Sequence, residues 1–264
     1  MELEPSHILE AKYYSLPFSS LVEKYPILNA FLISVDPPKF DLGNPKVLSM
    51  INKYLFKEVV DLDIRVPEDF LIPSLGIRHA YCDFIADRIK SNKPIIEIGT
   101  GSSAAIALIL AKKYNKQVVA TEINTSSIEM AISNIITNRL ENKINIITSK
   151  GEIITNLISP GNYSALVSYP PFYDADLTKL EKKRGWKGKQ SELFGGKKDG
   201  LAFAKQLLHE SFQDTYIDIE LVSLMMMNLE QIKELFAIIP SDMKTEIIQI
   251  NAGTRRRFIL LVYR

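Results

Sequence analysis

Two short stretches carry residue types that could do chemistry. The first is Glu97-Ile98-Gly99-Thr100-Gly101-Ser102-Ser103, which closes a β-rich run and opens into the small-residue run Ala104-Ala105-Ile106-Ala107. Glycines at 99 and 101 can take positive φ and carry no Cβ, so the backbone there can lie against a ligand at a helix N-terminus. A glycine pair also makes ordinary strand-to-helix turns, and by itself it is a weak signal. Two carboxylates strengthen it. Glu97 is placed to meet a cationic group directly or through water. Glu122 ends the next β-rich run, twenty-one residues beyond Gly101, where Rossmann-like sites receive ribose hydroxyls. A loop with two flanking carboxylates and no third fingerprint glycine favours an adenosyl sulfonium, S-adenosylmethionine, over a nicotinamide cofactor.

The second stretch is Val167-Ser168-Tyr169-Pro170-Pro171-Phe172-Tyr173, at the end of the fourth β-rich run. The proline pair cannot donate to a sheet ladder and fixes φ, so carbonyls project from the strand end. A surface turn would do the same. The stretch resembles the motif of Asn, Asp or Ser, two prolines and an aromatic residue that methyltransferases acting on planar amines carry after their fourth strand.

These stretches need a scaffold that brings strand ends together. From Pro94 onward, β-rich runs alternate with helical patterns, which implies βαβ units and a mostly parallel sheet. The expected strands are Ile95–Ile98, Gln117–Thr121, Ile144–Thr148, Ala165–Ser168, Ile219–Met225, Lys244–Ile250 and Arg257–Val262. Expected helices run over Ser103–Tyr114, Ser126–Asn138, Glu152–Ile158, Leu201–Phe212 and Leu229–Phe236. The turn at Asn251 to Thr254 predicts an antiparallel hairpin at a sheet edge. The fold class is therefore α/β: a Rossmann-like, seven-stranded sheet of the class I methyltransferase pattern. Ligands in such a sheet gather at the carboxyl ends of the strands where the winding reverses.

Residues 1–75 read differently. Prolines at 17, 26, 37, 38, 45, 67 and 73 interrupt the chain around one helical stretch, Pro45–Val59, whose Val47, Leu48, Ile51, Leu55 and Val59 fall at helical spacing. The expectation is a mainly helical extension too small to hold a core of its own. It precedes a catalytic domain over 76–264.

Composition sets the class. With 264 residues, 46% hydrophobic and 24% charged, the chain is long enough for one large domain and lies outside the disordered regime. Apolar runs such as Ala104 to Ala111 fall short of a membrane span, and the first residues read as neither basic nor apolar, so a cytoplasmic protein is expected. Cys82 is the only cysteine and is expected as a buried thiol. With His7, His79 and His209 scattered, no metal is expected. Net charge is only +1, so any basic surface must be local. Two candidates are the segment Lys179 to Lys198, holding Lys182, Lys183, Arg184 and Lys187 around Trp186, and the triplet Arg255, Arg256 and Arg257.

Taken in order, these features resemble a specific family, the bacterial ribosomal large-subunit adenine-N6 methyltransferase F and the eukaryotic methyltransferase-like 16 enzymes. The resemblance spans roughly Glu23 to the C-terminus. Its carriers include Lys24-Tyr25-Pro26, Leu71-Ile72-Pro73 through Arg78 and Tyr81, the glycine loop, Ala120-Thr121-Glu122, Pro170-Pro171-Phe172, Phe203-Ala204-Lys205, and Gly253-Thr254-Arg255-Arg256. It implies methyl transfer to the N6 amine of adenosine in structured RNA. It further implies a cofactor pocket of Arg78, Glu97, Gly99, Gly101, Ser103 and Glu122, with Ile153 beside the adenine. It puts Tyr169, Pro170, Pro171 and Phe172 at the target base and Arg255 and Arg256 near RNA.

One departure bears on the chemistry: the family has Asn where this chain has Tyr169. In the usual site the Asn oxygen and the following proline carbonyl each accept a hydrogen bond from the target amine, while the aromatic residue stacks on the base. A phenol oxygen can accept as well, but it lies several ångströms farther from its backbone. Either the base binds differently, or Tyr169 points elsewhere, or the reaction is weak or directed to another atom. Two alternatives follow: another planar amine, on a DNA base or a protein glutamine, or a non-catalytic RNA-binding module that keeps the fold.

Overall fold

The computed structural model describes residues 3–11, 18–173, 190–195, 200–253 and 255–264. Its centre is an eight-stranded sheet. Strand β1 is His7–Glu10. An N-terminal module follows with helix α1 (Phe18–Lys24), a hairpin of β2 (Leu32–Val35) and β3 (Pro38–Phe40), and helix α2 (Pro45–Val60). Helix α3 is Leu75–Arg88. After it come β4 (Ile95–Ile98), α4 (Ala105–Tyr114), β5 (Val118–Glu122), α5 (Thr125–Thr137), β6 (Ile144–Thr148), β7 (Gly161–Tyr163) and β8 (Ala165–Ser168). After helix Ala202–Gln213, strands β9 (Ile217–Ile219), β10 (Leu221–Met226), β11 (Lys244–Ala252) and β12 (Arg255–Tyr263) complete the set, with helix Leu229–Leu235 between β10 and β11.

The sheet order is β1-β11-β12-β10-β8-β4-β5-β6, parallel except where β12 runs against both its neighbours. Parallel strands need cover on both faces, and their sequences show it. Ile95, Ala165, Val167, Leu221, Met225, Ile259 and Leu261 pack with α3, α4 and α5 on one face. The alternating partners Ile96, Leu166, Val222, Leu224, Met226, Leu260 and Val262 pack with Leu207, Leu208, Ile232 and Leu235 on the other. Winding reverses between β4 and β8, whose ends are level: Ile98 pairs with Ser168, and the buried Ser168 hydroxyl donates to the Ile98 carbonyl at 2.8 Å.

Four expectations need correction. The C-terminal hairpin is not at the edge, because β12 inserts between β10 and β11, and β1 then covers β11 as an eighth strand. The run at Ile219 breaks at Glu220 into β9, which pairs with β7, and β10. Glu152–Ile158 is an irregular turn rather than a helix. Asn156 sits at φ 64°, and the Glu210 carboxylate takes the N–H groups of Ile154 and Thr155 at 2.8 and 3.1 Å. Finally, the N-terminal module has a small core of its own, with Leu21, Leu28, Phe40, Val47 and Ile51 enclosed by Phe18, Tyr25 and Tyr54. Cys82 is a free buried thiol, as expected.

Helix α2 begins where Asn44 accepts from the N–H groups of Lys46 and Val47 with Pro45 in the first turn, and ends at the left-handed Asp61. The chain then crosses to the main body in extended form. Two asparagines four residues apart, Asn134 on α5 and Asn138 at its C-terminal cap, hold it: Asn138 exchanges hydrogen bonds with Asp63, and Asn134 with Arg65, all between 2.8 and 3.0 Å. Leu62, Ile64, Val66 and Phe70 bury their side chains in the main core along this path.

Candidate active site

The glycine loop leaves β4 and turns over a buried floor. Its first fixed point is Glu97, only 2% exposed, whose Oε2 accepts from the Thr100 hydroxyl at 2.8 Å and the Ala107 N–H at 3.1 Å. Burial pushes this carboxyl up to about 7, against the lowering effect of those two hydrogen bonds and of the nearby Arg78. Its second fixed point is Glu122 at the end of β5. Oε1 accepts from the N–H groups of Ile123 and Asn124, and Oε2 from that of Gly101, each at 2.9 Å. Gly101 can offer that N–H because it sits at φ 66°, which a side chain would resist. The Ser103 hydroxyl accepts from Ala105 N–H at 3.3 Å at the start of α4.

This arrangement fits an adenosyl sulfonium cofactor. A Cβ on Gly99 would meet nothing within 4 Å, so the loop presents an open backbone surface above the two carboxylates. Both of these hydrogen bonds to Glu97 fall on Oε2 rather than Oε1. Ile153, 5% exposed, lies in the apolar cluster of the sheet face next to the loop after β6.

The second stretch lies beside the first because β8 is the parallel neighbour of β4. Tyr169 leaves the strand with its ring between two cations. The Arg78 guanidinium sits over that ring at 5.2 Å from α3, and Arg257 of β12 donates from Nε to the phenol oxygen at 2.7 Å. Arg257 also lies over the Phe172 ring at 5.6 Å. Phe172 is only 9% exposed, tilted 31° to Tyr169 and packed against Tyr173. Its carbonyl accepts from Gln231 at 3.4 Å.

A later segment braces the motif from behind. Tyr173 donates its N–H to the Leu193 carbonyl, and Gly195 donates to the Tyr173 carbonyl, both at 3.0 Å. A Cβ on Gly195 would lie 2.0 Å from the Gly200 carbonyl oxygen and 2.4 Å from that of Pro171, so backbone approaches there as only glycine allows. Glu192, from the same segment, accepts from Leu71 N–H at 3.1 Å and from the Ser102 hydroxyl at 3.4 Å. It thereby ties the motif's brace to the glycine loop and to the end of the N-terminal crossing.

The structure brings Glu97, Gly99, Gly101, Ser103 and Glu122 together at the ends of β4 and β5, with Arg78 and the Tyr169 to Phe172 stretch beyond the end of β8. Arg255 and Arg256 are exposed at the start of β12, next to Arg257. Lys182, Lys183, Arg184 and Lys187 lie outside the described residues. Sequence reading named Arg257 only within a basic triplet and did not single out Glu192, Gly195, Gly200 or Gln231 as site residues. For Arg257 a signal existed: strand alternation places it on the opposite face from the buried Phe258. For the others the reason is distance along the chain. Among the described residues no group of three or more His, Cys, Asp or Glu is placed to hold a metal ion, and no helix is long and apolar enough to cross a membrane.

Residues 4–215 match the Methyltransf_10 family model, described as RNA methyltransferase. A Methanocaldococcus jannaschii protein provisionally named as a methyltransferase is 31% identical over 236 residues, covering 85% of this chain and 89% of the relative. The U6 small nuclear RNA (adenine-(43)-N(6))-methyltransferase of Caenorhabditis elegans is 28% identical over 170 residues, 60% of this chain and 36% of that enzyme. This chain thus spans about a third of the worm enzyme's length. The ribosomal RNA large subunit methyltransferase F of Psychromonas ingrahamii is 24% identical over 241 residues, 77% of this chain and 76% of the relative. Among solved structures, the human METTL16 catalytic domain in complex with the MAT2A 3'UTR hairpin 1 shares the fold with a TM-score of 0.82, at 23% identity over 94% of this chain and 91% of that one.

Proposed function

We propose that this chain, which belongs to the Methyltransf_10 family of RNA methyltransferases, transfers a methyl group from S-adenosylmethionine to the N6 amine of adenosine in structured RNA. The observation that carries the reading is the level meeting of two strand ends, where Ile98 opens the glycine loop and Ser168 opens the Tyr169 to Phe172 stretch across one hydrogen bond. A methyl donor held by the first and an amine held by the second would be neighbours, and such proximity accounts for much of the rate of a transfer.

S-adenosylmethionine supplies a methyl carbon made electrophilic by its sulfonium. Glu97 would hold the ammonium of the donor, the loop backbone at Gly99 and Gly101 would pack against its chain, and Glu122 would accept from the ribose hydroxyls. Ser103 and Arg78 would close the pocket, and Ile153 would flank the adenine. The Pro170 carbonyl would accept a hydrogen bond from the target amine, which localises the nitrogen lone pair for attack; the new N–C bond replaces the donor's S–C bond, leaving the thioether, and the surplus proton on nitrogen passes to water. Pro171 keeps the carbonyl rigidly aimed, and Phe172 supplies the aromatic wall for the base.

Residues 1–75 extend the RNA surface and 76–264 hold donor and base. Supporting this division, the N-terminal module has its own small core, and its crossing segment reaches the site where Leu71 meets Glu192. The exposed Arg255 and Arg256 contribute phosphate contacts, as do Lys182, Lys183, Arg184 and Lys187. The enzyme acts in the cytoplasm on ribosomal or small RNA.

Incubating the protein with S-adenosylmethionine and cellular RNA, followed by nuclease digestion and mass spectrometry, should yield N6-methyladenosine. Methylation of DNA or protein glutamine instead, with none in any RNA, would replace the substrate assignment.

A further inference from the structure

The exchange of the family's Asn for Tyr169 does more than lengthen an acceptor. An arginine Nε–H can only donate, so the 2.7 Å contact from Arg257 occupies a lone pair of the phenol oxygen. The hydroxyl proton must then point away from Arg257. Among the described residues no group accepts it. The Arg78 guanidinium caps one ring face and Phe172 packs beside the ring, which fixes the phenol on two sides. Donation into an O–H group also polarises it, so the outgoing hydroxyl is a stronger donor than an isolated phenol. At the position where an amide oxygen would accept from the target amine, this chain therefore offers a donor.

We propose that Arg257 is a positioning residue that turns Tyr169 into a hydrogen-bond donor toward the target base, so that the site reads a ring-nitrogen acceptor next to the amine. The inference rests on the adenine-N6 reading above. Adenine meets the requirement on either edge, since N1 and N7 both flank the N6 amine. The amine keeps the Pro170 carbonyl as its acceptor, and Tyr169 supplies recognition rather than activation. A protein glutamine amide, whose nitrogen has no neighbouring ring nitrogen, is disfavoured by the same geometry.

The probe is a set of hairpin RNAs with a loop adenosine, synthesised with adenosine, 1-deazaadenosine or 7-deazaadenosine at that position. Each analogue exchanges one ring nitrogen for C–H and keeps the amine. Wild type should lose roughly three- to tenfold in kcat/KM on one of the two analogues, the effect of one neutral hydrogen bond. Tyr169→Phe should lose a similar factor on adenosine and nothing more on that analogue. Arg257→Met should behave like Tyr169→Phe and add nothing to it in the double variant. An equal loss by Tyr169→Phe on all three RNAs, or multiplying effects of the two substitutions, overturns the donor assignment. Thermal melts of each variant establish folding, and Tyr169→Phe, which keeps the ring, serves if Arg257→Met does not fold. Affinity for the same hairpins, measured with S-adenosylhomocysteine present, separates the two readings. Analogue-dependent binding without any methyl transfer removes the N6 assignment and keeps the donor. Transfer to all three RNAs at one rate keeps the N6 assignment and removes the donor.

Discussion

The two halves of the site are held by different means. Around the glycine loop the fixing groups are backbone N–H donors and two buried carboxylates, nearly all drawn from residues 97 to 124. Around Tyr169 they are side chains and close backbone approaches drawn from α3, β8, β12, Gly195 and Gly200. A half made from neighbours in sequence is specified by a short motif. One assembled from remote segments exists only once the whole sheet has formed. The first should therefore fail through loss of a single carboxylate, and the second through small displacements.

The largest effect is expected where backbone meets backbone. Gly195→Ala forces a carbon to 2.0 Å from the Gly200 carbonyl oxygen, which cannot rotate aside, so the Pro171 to Tyr173 stretch must shift. A displacement of about 1 Å at a reacting group costs on the order of a hundredfold in rate. Single-turnover methylation should drop by about that factor while donor affinity from calorimetry changes little. Equal losses in both would mean the two halves are not separable.

Glu122→Ala attacks the other half. Its carboxylate takes three backbone N–H groups, and a charged hydrogen bond contributes about 1.5–3 kcal/mol. Donor affinity should fall roughly ten- to a hundredfold. Unchanged affinity in a folded variant would remove Glu122 from the pocket.

Glu97 sharpens the comparison through pH. Burial raises its carboxyl from 4.5 to about 7, so the folded protein without donor binds a proton that the unfolded chain releases. Stability from this group is present below about 4.5 and is lost as pH rises through about 7. A bound cation needs the charged form, and so the donor's affinity should rise with pH, by up to about tenfold per unit below 7, then level off. In Glu97→Gln the calorimetric profile should be flat; a persisting slope would assign the proton elsewhere.

The smallest effect belongs to the exposed rim. Arg255→Ala with Arg256→Ala should reduce the slope of log affinity for RNA against log salt by roughly 0.7–0.9 for each phosphate no longer neutralised, with the donor's affinity untouched. An unaltered slope would place RNA away from the start of β12.

The same contrast explains what could be read from residue order. Ile95–Ile98, Ile144–Thr148 and Ala165–Ser168 are strands at the expected bounds, because buried parallel strands are short apolar runs between loops. Glu97, Gly101 and Glu122 were legible because their partners lie near them in the chain. Arg257 was visible only as one of three basic residues, since its partner Tyr169 comes from β8. Glu152–Ile158 misled because its apolar spacing suits a helix, whereas Glu210 captures the N–H groups that a helix would use. Strand β1 is four residues long, with pairing that depends wholly on β11.

That strand bears on the chain's solubility. Strand β11 is nine residues long, and its outer side would otherwise offer a row of unsatisfied N–H and C=O groups, a template on which another extended chain could add. β1 fills that row from His7 to Glu10, Ser6 and Ala11 extend it with hydrogen bonds to Ile247 and Asn251, and the Asn251 amide closes on Glu10. The outer side of β11 is thus covered from Ile247 to Asn251 and is no longer one continuous nine-residue edge. A shortened protein beginning after Ala11 would keep every residue of the site and still expose the long edge, so its first defect would be self-association into β-rich aggregates rather than loss of methyl transfer.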